Sequence, residues 1–422
     1  MQGLAWESPG CDIESPRNVT CDQGFIPTYS VAAVGADDIS KAVKFASKNS
    51  VKLVVKNTGH DYLGRSNINF TDSFVPSGCP GNDAGVPAVT VGAGTQWLNV
   101  YEAANERNVL VVGGGARSVG AAGGWLQGGG HSPLGGLHGM GVDNVLQFTV
   151  VKANGDIVSA NRCKNKDLFW ALRGGGGSTY GIVLDVTYKT HPPLKNAIGV
   201  TFGINATDSE QMIEAFKIFM RSLPTIMDKG LRGYVFFSTN TSFGGAFIHP
   251  NSPNVSVSNA TFQGLWDWAS NNTGATMDLS GTTHPTFFDW FNTYISQDVA
   301  IAASVWVGIG GGAVNDVDTQ STGLNPQWRK DALVSWTFGT GWTDDTPPEV
   351  IAELKNAVTN LTQGLSKIAG LKDAGYFNEA DPNEPNWKRA WFGSHYDRLL
   401  EIKKDVDPKG LFSCNRCVGS ND

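Results

Sequence analysis

Three stretches of the chain expose backbone where an ordinary sequence carries side chains: residues 56–62 (Lys-Asn-Thr-Gly-His-Asp-Tyr), 113–130 and 174–181 (Gly-Gly-Gly-Gly-Ser-Thr-Tyr-Gly). Without Cβ atoms, main-chain N–H groups can approach a pyrophosphate or a flat ring system. Turns account for one such segment, but three long ones in the first half point to the cradle of a large cofactor. Titratable groups stand in or beside these segments, namely His60, His131 and His138, and Tyr376 lies far downstream. The ordinary roles of His131 and His138 are hydrogen bonds to backbone or cofactor. A phenol, with a usual pKa near ~10, takes a proton at neutral pH only when a cation or the cofactor lowers it. Otherwise Tyr376 is a packed tyrosine with a satisfied hydroxyl.

Other chemistries lack their signatures. The chain has no G-x-S-x-G, no P-loop, no H-E-x-x-H and no G-x-G-x-x-G, so a nucleophile elbow and a Rossmann site are not expected. Cys414 and Cys417 have no second Cys or His pair at metal spacing, which favours a disulfide in the tail over a metal site.

The elements that must position these residues fall into two textures. Asp37 or Asp38 can cap a helix with Ile39, Val43 and Ala46 on one face, and residues 51–55 read as a buried strand. Short β-branched runs at 89–91, 109–112, 145–151 and 182–188 alternate with glycine-rich turns, which predicts a mixed unit up to about residue 195. Beyond His191-Pro192-Pro193, a helix with Met212, Ile213, Phe216, Phe219, Met220 and Leu223 on one face precedes strand candidates at 234–238, 245–249, 303–309 and 333–338. A helix over 349–368 closes this second unit. The expected class is α+β, with a cofactor domain at 1–195, an antiparallel-sheet substrate domain at 196–374 and a returning C-terminal segment at 375–422. Tryptophans such as Trp387 and Trp391 stand at helical spacing and read as core.

Composition narrows the setting. The 422 residues include 52 glycines and carry a net charge of −7 without a basic cluster, which argues against nucleic acid or an anionic membrane as partner. The longest apolar run, 300–307, falls short of the ~18 residues of a membrane span. Eight Asn-X-Ser/Thr sequons, at Asn18, Asn69, Asn205, Asn240, Asn254, Asn259, Asn271 and Asn360, accompany six cysteines. Together they predict a soluble, secreted, disulfide-bonded glycoprotein whose signal peptide is absent from this chain.

Five segments, KNTGHDYLGRS (56–66), SVGAAGGWLQGGGHSPLG (118–135), GMGVDNV (139–145), DLFWALRGGGGSTYGIV (167–183) and YFNEADPNEPNW (376–387), occur in this order along the chain. In them the sequence resembles the fungal berberine-bridge-enzyme-like flavoproteins of the vanillyl alcohol oxidase/p-cresol methylhydroxylase superfamily, over nearly its whole length.

The resemblance implies FAD, held covalently by the histidine of the first motif, here His60; such a cationic link raises the oxidising power of the flavin. It also implies cofactor contacts from Lys56, Asn57, Thr58, Gly59, Asp61, Gly64 and Ser66, and from Ser118, Val119, Gly120, Gly123, Gly124, Gly128, Gly129, Gly130 and His131. Val142, Gly181, Val183 and Asn378 complete the set. Many relatives carry a second link through a cysteine, but that position is Ala116 here, so a single link is expected. Val119 corresponds to the residue that admits or blocks dioxygen, and Tyr376 to a tyrosine near the substrate, the candidate base. The implied activity is hydride removal from an alcohol, sugar or secondary metabolite by a monomeric enzyme whose other partner is dioxygen, reduced to hydrogen peroxide. A dehydrogenase or cyclising enzyme with poor oxygen reactivity, and a non-catalytic glycoprotein of the same fold, are the alternatives.

Overall fold

Short β-branched strands and amphipathic helices build two antiparallel sheets, each with helices packed on it. The computed structural model describes residues 17–18, 20, 29–55, 68–81, 83–294, 304–308, 310–330, 334–338, 340–343, 346–371 and 374–420. The first part runs α1 (Ala36–Asn49), β1 (Ile68–Phe74), β2 (Val86–Gly92), α2 (Trp97–Glu106), α3 (Gly124–Gln127), α4 (Gly135–His138), β3 (Val145–Val151), β4 (Ile157–Asn161), α5 (Lys166–Leu172) and β5 (Ile182–Lys189). Its strands form one sheet in the order β1-β2-β5-β3-β4, antiparallel throughout.

The second part runs β6 (Ala197–Asn205), α6 (Ser209–Asp228), β7 (Arg232–Thr239), β8 (Ser242–Pro250), α7 (Val255–Asn259), α8 (Gln263–Asn271), β9 (Thr276–His284), α9 (Phe287–Tyr294), β10 (Ser304–Gly308), α10 (Gln327–Lys330), β11 (Val334–Phe338) and α11 (Pro348–Ile368). Its six strands are ordered β11-β10-β7-β8-β6-β9. Asp208 starts α6 by accepting from the Glu210 and Gln211 backbone N–H groups. Met212, Phe219 and Leu223 then bury against Phe202, Phe243 and Phe247 of the sheet. The chain ends in α12 (Trp387–Phe392) and α13 (Tyr396–Val406). Trp387, Trp391, Leu399 and Val418 join the same core as Val89, Trp97, Phe148 and Tyr188, so the last segment packs back onto the first sheet.

Several expectations change in three dimensions. Residues 51–55 have no strand partner among the described residues, and Val54 is 75% exposed; β-branched composition makes a strand only where a neighbour accepts its ladder. The run at 109–112 is buried, yet pairs only through the isolated Leu110–His191 bridge. Helix α1 starts after Gly35, and Asp38 accepts from the Val34 N–H rather than capping. Ile213 turns outward from α6, 54% exposed. The sequence reading misses β6 and β9, the first because Gly199 and Gly203 interrupt its apolar run, the second because Asp278, Ser280 and Thr282 make it polar. Gly199 is required where it stands, since a Cβ there would collide with the Tyr294 ring. Disulfides join Cys79 to Cys163 and Cys414 to Cys417.

Candidate active site

The glycine segments meet each other before they meet anything else. The N–H of Gly176 donates to the Gln127 carbonyl at 2.9 Å, tying the 174–177 turn to α3. A Cβ on Gly177 would stand 3.4 Å from the Gly124 Cα, so the two backbones lie side by side. The Gly128 N–H donates to Gly124, Gly141 N–H to the Gly130 carbonyl at 2.7 Å, and Val142 N–H to Gly129. Gly129 (φ +128°) and Gly130 (φ +74°) need backbone conformations that side chains disfavour. The 117–120 turn is held from α2: Trp97 N–H donates to the Val119 carbonyl, Leu98 N–H to Arg117, and Gly120 bridges Gln96. Ser118 is exposed and Val119 half-buried against the core. Gly181 (φ +152°) and Val183 lie at the mouth of β5 instead. A Cβ on Gly181 would meet Val150 at 2.7 Å, a packing reason independent of any cofactor.

The C-terminal segment lays its polar groups on this floor. Asn378 Nδ2 donates to the Gly124 carbonyl at 2.9 Å and to the Tyr376 hydroxyl at 2.8 Å. A Cβ on Gly128 would collide with the Asn378 amide, so that glycine is fixed by Asn378. The Tyr376 ring is buried between His131 and Trp328, with centroids 5.3 and 5.6 Å away. Glu379 accepts from Thr337 Oγ1 at 2.7 Å and lies 3.6 Å from His131 Nε2.

Burial pushes the Tyr376 hydroxyl well above its ordinary value and the Glu379 carboxylate adds to this, the reverse of what proton abstraction asks of a lone phenol. Tyr234 of β7 is raised for the same two reasons. For Glu379, partial burial acts upward, but the hydrogen bonds and charge of His131 together with the Thr337 hydroxyl outweigh it and hold the carboxylate below its usual range.

Beside Tyr376 and Glu379 opens a cleft of about 650 Å³, lined also by Trp328, Trp336, Phe338 and Trp342 and by Leu223 of α6. Sequence reasoning reached Tyr376 and Asn378 but passed over Glu379, although it stands next to Asn378 in the same motif. Tyr234 and Thr337 carry no signal in sequence, because only the sheet brings them here.

His60 and the other residues of the first motif, Lys56, Asn57, Thr58, Gly59, Asp61, Gly64 and Ser66, lie outside the described residues. Cys79, Asp83 and Cys163 are the one group spaced for a metal among the described residues, but the disulfide engages both sulfurs. The residues present do fit a large flat cofactor. Among the described residues, buried Thr95 Oγ1, Gln127 Oε1, His131 Nδ1 and Tyr234 Oη find no hydrogen-bond partner, and a ring edge bearing N–H and C=O groups would supply one. No helix among the described residues is long and apolar enough to cross a membrane.

Fold and site together define an FAD-binding flavoprotein, and comparison with known proteins agrees. Residues 27–161 match the FAD binding domain family and residues 375–419 the family described as berberine and berberine like. An uncharacterized FAD-linked oxidoreductase of Arthroderma benhamiae is 36% identical over 98% of this chain and 81% of its own length. The crystal structure of the VAO-type flavoprotein MtVAO713 from Myceliophthora thermophila C1 superposes with a TM-score of 0.86, at 26% identity over 95% of this chain and 82% of that one. The glucooligosaccharide oxidase of Acremonium strictum, described with a 6-S-cysteinyl, 8α-N1-histidyl FAD, shares the fold at 19% identity and a TM-score of 0.67 over 92% of this chain and 90% of that one. The chain belongs to the FAD-linked oxidoreductases of the vanillyl alcohol oxidase and berberine-bridge-enzyme-like family, and it is an enzyme.

Proposed function

We propose that this protein is a secreted, monomeric oxidase that removes a hydride from an alcohol, sugar or secondary metabolite and delivers the electrons to dioxygen as hydrogen peroxide. The observation that carries the reading is that two glycine segments pack side by side, Asn378 ties one of them to Tyr376, and Tyr376 and Glu379 line one aromatic cleft. FAD, when bound, supplies the two-electron acceptor that no side chain offers. Residues 1–195 with the returning segment 375–422 hold it, and 196–374 form the substrate side.

Within that frame His60 is the single covalent anchor. Gly123, Gly124, Gly128, Gly129 and Gly130 give backbone access, with Gly120, Val142, Gly181 and Val183 shaping the surrounding turns. Asn378 fixes Tyr376 beside the reacting substrate hydroxyl or amine. Tyr376 is the candidate base and Glu379 lines the same cleft; because burial raises the Tyr376 hydroxyl, acceptance there needs a cation or the bound cofactor to lower it. The aromatic walls exclude water from the reacting carbon.

The test is a screen of primary alcohols, oligosaccharides and fungal phenolics, read twice: bleaching of flavin absorbance without air, and peroxide released with air. Bleaching together with peroxide is the expected result. Bleaching with slow reoxidation in air gives a dehydrogenase instead, and no bleaching by any of them sinks the catalytic reading for these substrate classes.

Val119 carries a separate expectation. One added methylene at this half-buried position fills the space beside the 118–120 turn, where overpacking typically costs about 1–3 kcal/mol. Val119→Leu is therefore expected to slow reoxidation by about tenfold or more while leaving reduction by substrate nearly unchanged. Rapid mixing of each half-reaction measures this, and equal slowing of both would remove Val119 as the dioxygen gate.

A further inference from the structure

We propose that Asn205, Asn240 and Asn271 are N-glycan acceptors clustered at one pole of the six-stranded sheet, and that Asn259, which has the same sequon, is not. This rests on the secreted reading above.

The three sequons are far apart in sequence and adjacent in the fold. Asn205 ends β6, opposite Ser242 of β8 on one side and Thr276 of β9 on the other. Asn240 lies in the turn between β7 and β8, and the Thr241 carbonyl within its sequon accepts from the Ala206 N–H within the sequon of Asn205. Asn240 Nδ2 also reaches Ser209 Oγ at 3.3 Å, at the start of α6. Asn271 ends α8, and the carbonyl of Thr273 in its sequon lies 3.5 Å from Gln211 Nε2, again on the first turn of α6. All three asparagines are exposed.

Asn259 differs in its surroundings. Its Oδ1 is buried, and a Cβ on Gly281 would stand only 2.8 Å from that oxygen, so the amide lies against the backbone of β9. Thr261, which completes that sequon, is buried and donates to the Ser258 carbonyl at 2.7 Å. A branched sugar on Asn259 has to part α7 from β9 before the domain can close.

The pole is also remote from the cleft. The cleft residue of α6 nearest the pole is Met220, eleven residues along the helix from Ser209, a distance of roughly 16 Å at ~1.5 Å rise per residue. Sugars at the pole therefore leave the cleft open and hydrate a sheet end rich in exposed Thr and Asn.

The chemistry is a glycosyl transfer from a polyprenyl-pyrophosphate oligosaccharide, supplied with its transferase by the secretory pathway. A C–N bond forms between Asn Nδ2 and the anomeric carbon, the bond from that carbon to the pyrophosphate oxygen breaks, the pyrophosphate leaves with the electron pair, and Nδ2 releases one proton.

The full chain, secreted from yeast and treated with peptide N-glycosidase in heavy-oxygen water, converts each occupied asparagine to a labelled aspartate that peptide mass spectrometry locates. Label is expected at 205, 240 and 271 and none at 259, and Thr207→Ala, Ser242→Ala and Thr273→Ala should each erase one label only. Absence of label at any of the three sites, or label at 259, overturns the proposal. Separately, recovery of the protein from inside the cells of its natural producer, and not from the medium, overturns the secreted reading; the yeast result still decides which asparagines are acceptors.

Discussion

Acid precipitation of the His60→Ala protein is expected to leave a colourless pellet beneath a yellow supernatant, whereas the wild-type pellet keeps its colour. Neutral imidazole is a good nucleophile, and the covalent bond proposed for His60 would survive denaturation when every hydrogen bond from the glycine segments is lost. The effect is close to all-or-none, because Ala116 stands where a second link would form and Cys79, Cys163, Cys414 and Cys417 are paired with each other. Peptide mapping of the wild type should find flavin on the His60 peptide and on no cysteine peptide. Flavin that washes out of denatured wild-type protein would show that His60 is not the anchor.

Asp143→Ala is expected to destabilise the fold by about 3–5 kcal/mol, the usual cost of removing one partner from a buried ion pair. Both Asp143 oxygens accept from the Arg329 guanidinium at 2.7 Å, and the side chains are 7% and 1% exposed. Asp143 also accepts from the Met140 N–H at 2.8 Å, closing the turn whose Gly141 and Val142 bond to Gly130 and Gly129. A second cation stands close by: burial lowers Arg173 to about 10, Asp143 acts against that, and Arg329 adds to it. Without the carboxylate, the buried Arg329 guanidinium loses its ion-pair partner, with the half-buried Arg173 adding like charge nearby. Denaturant titration measures the loss, and Asp143→Ala combined with Arg329→Met should recover part of it, since the double change removes the stranded charge. A single variant within 1 kcal/mol of wild type would show that the pair does not brace the turn.

The glycine segments are legible in the sequence as runs of residues without Cβ, whereas Tyr376 and Asn378 are singled out through the motif that resembles the family. A run of residues without Cβ declares backbone access wherever it falls in the fold, and Tyr-Phe-Asn places two side chains on one short turn. The α+β class was legible from β-branched runs of strand length and the apolar face of α6. What failed were readings that depend on a neighbour: residues 51–55 have strand composition and no strand partner among the described residues, while β9 has a polar sequence and is held in the sheet by nine register pairs with β6.

By itself, then, the sequence determined the α+β class and, through its resemblance to a family, that this is an FAD-binding chain. Only the tertiary structure decided the electrostatics of the site. Glu379 accepts from Thr337 of β11 and lies beside His131, from segments more than forty and more than two hundred residues away, and burial first, then this same carboxylate, push the Tyr376 hydroxyl up. Desolvation and charge act through space, over a few ångströms, and a linear sequence does not record which groups the sheets bring within that range.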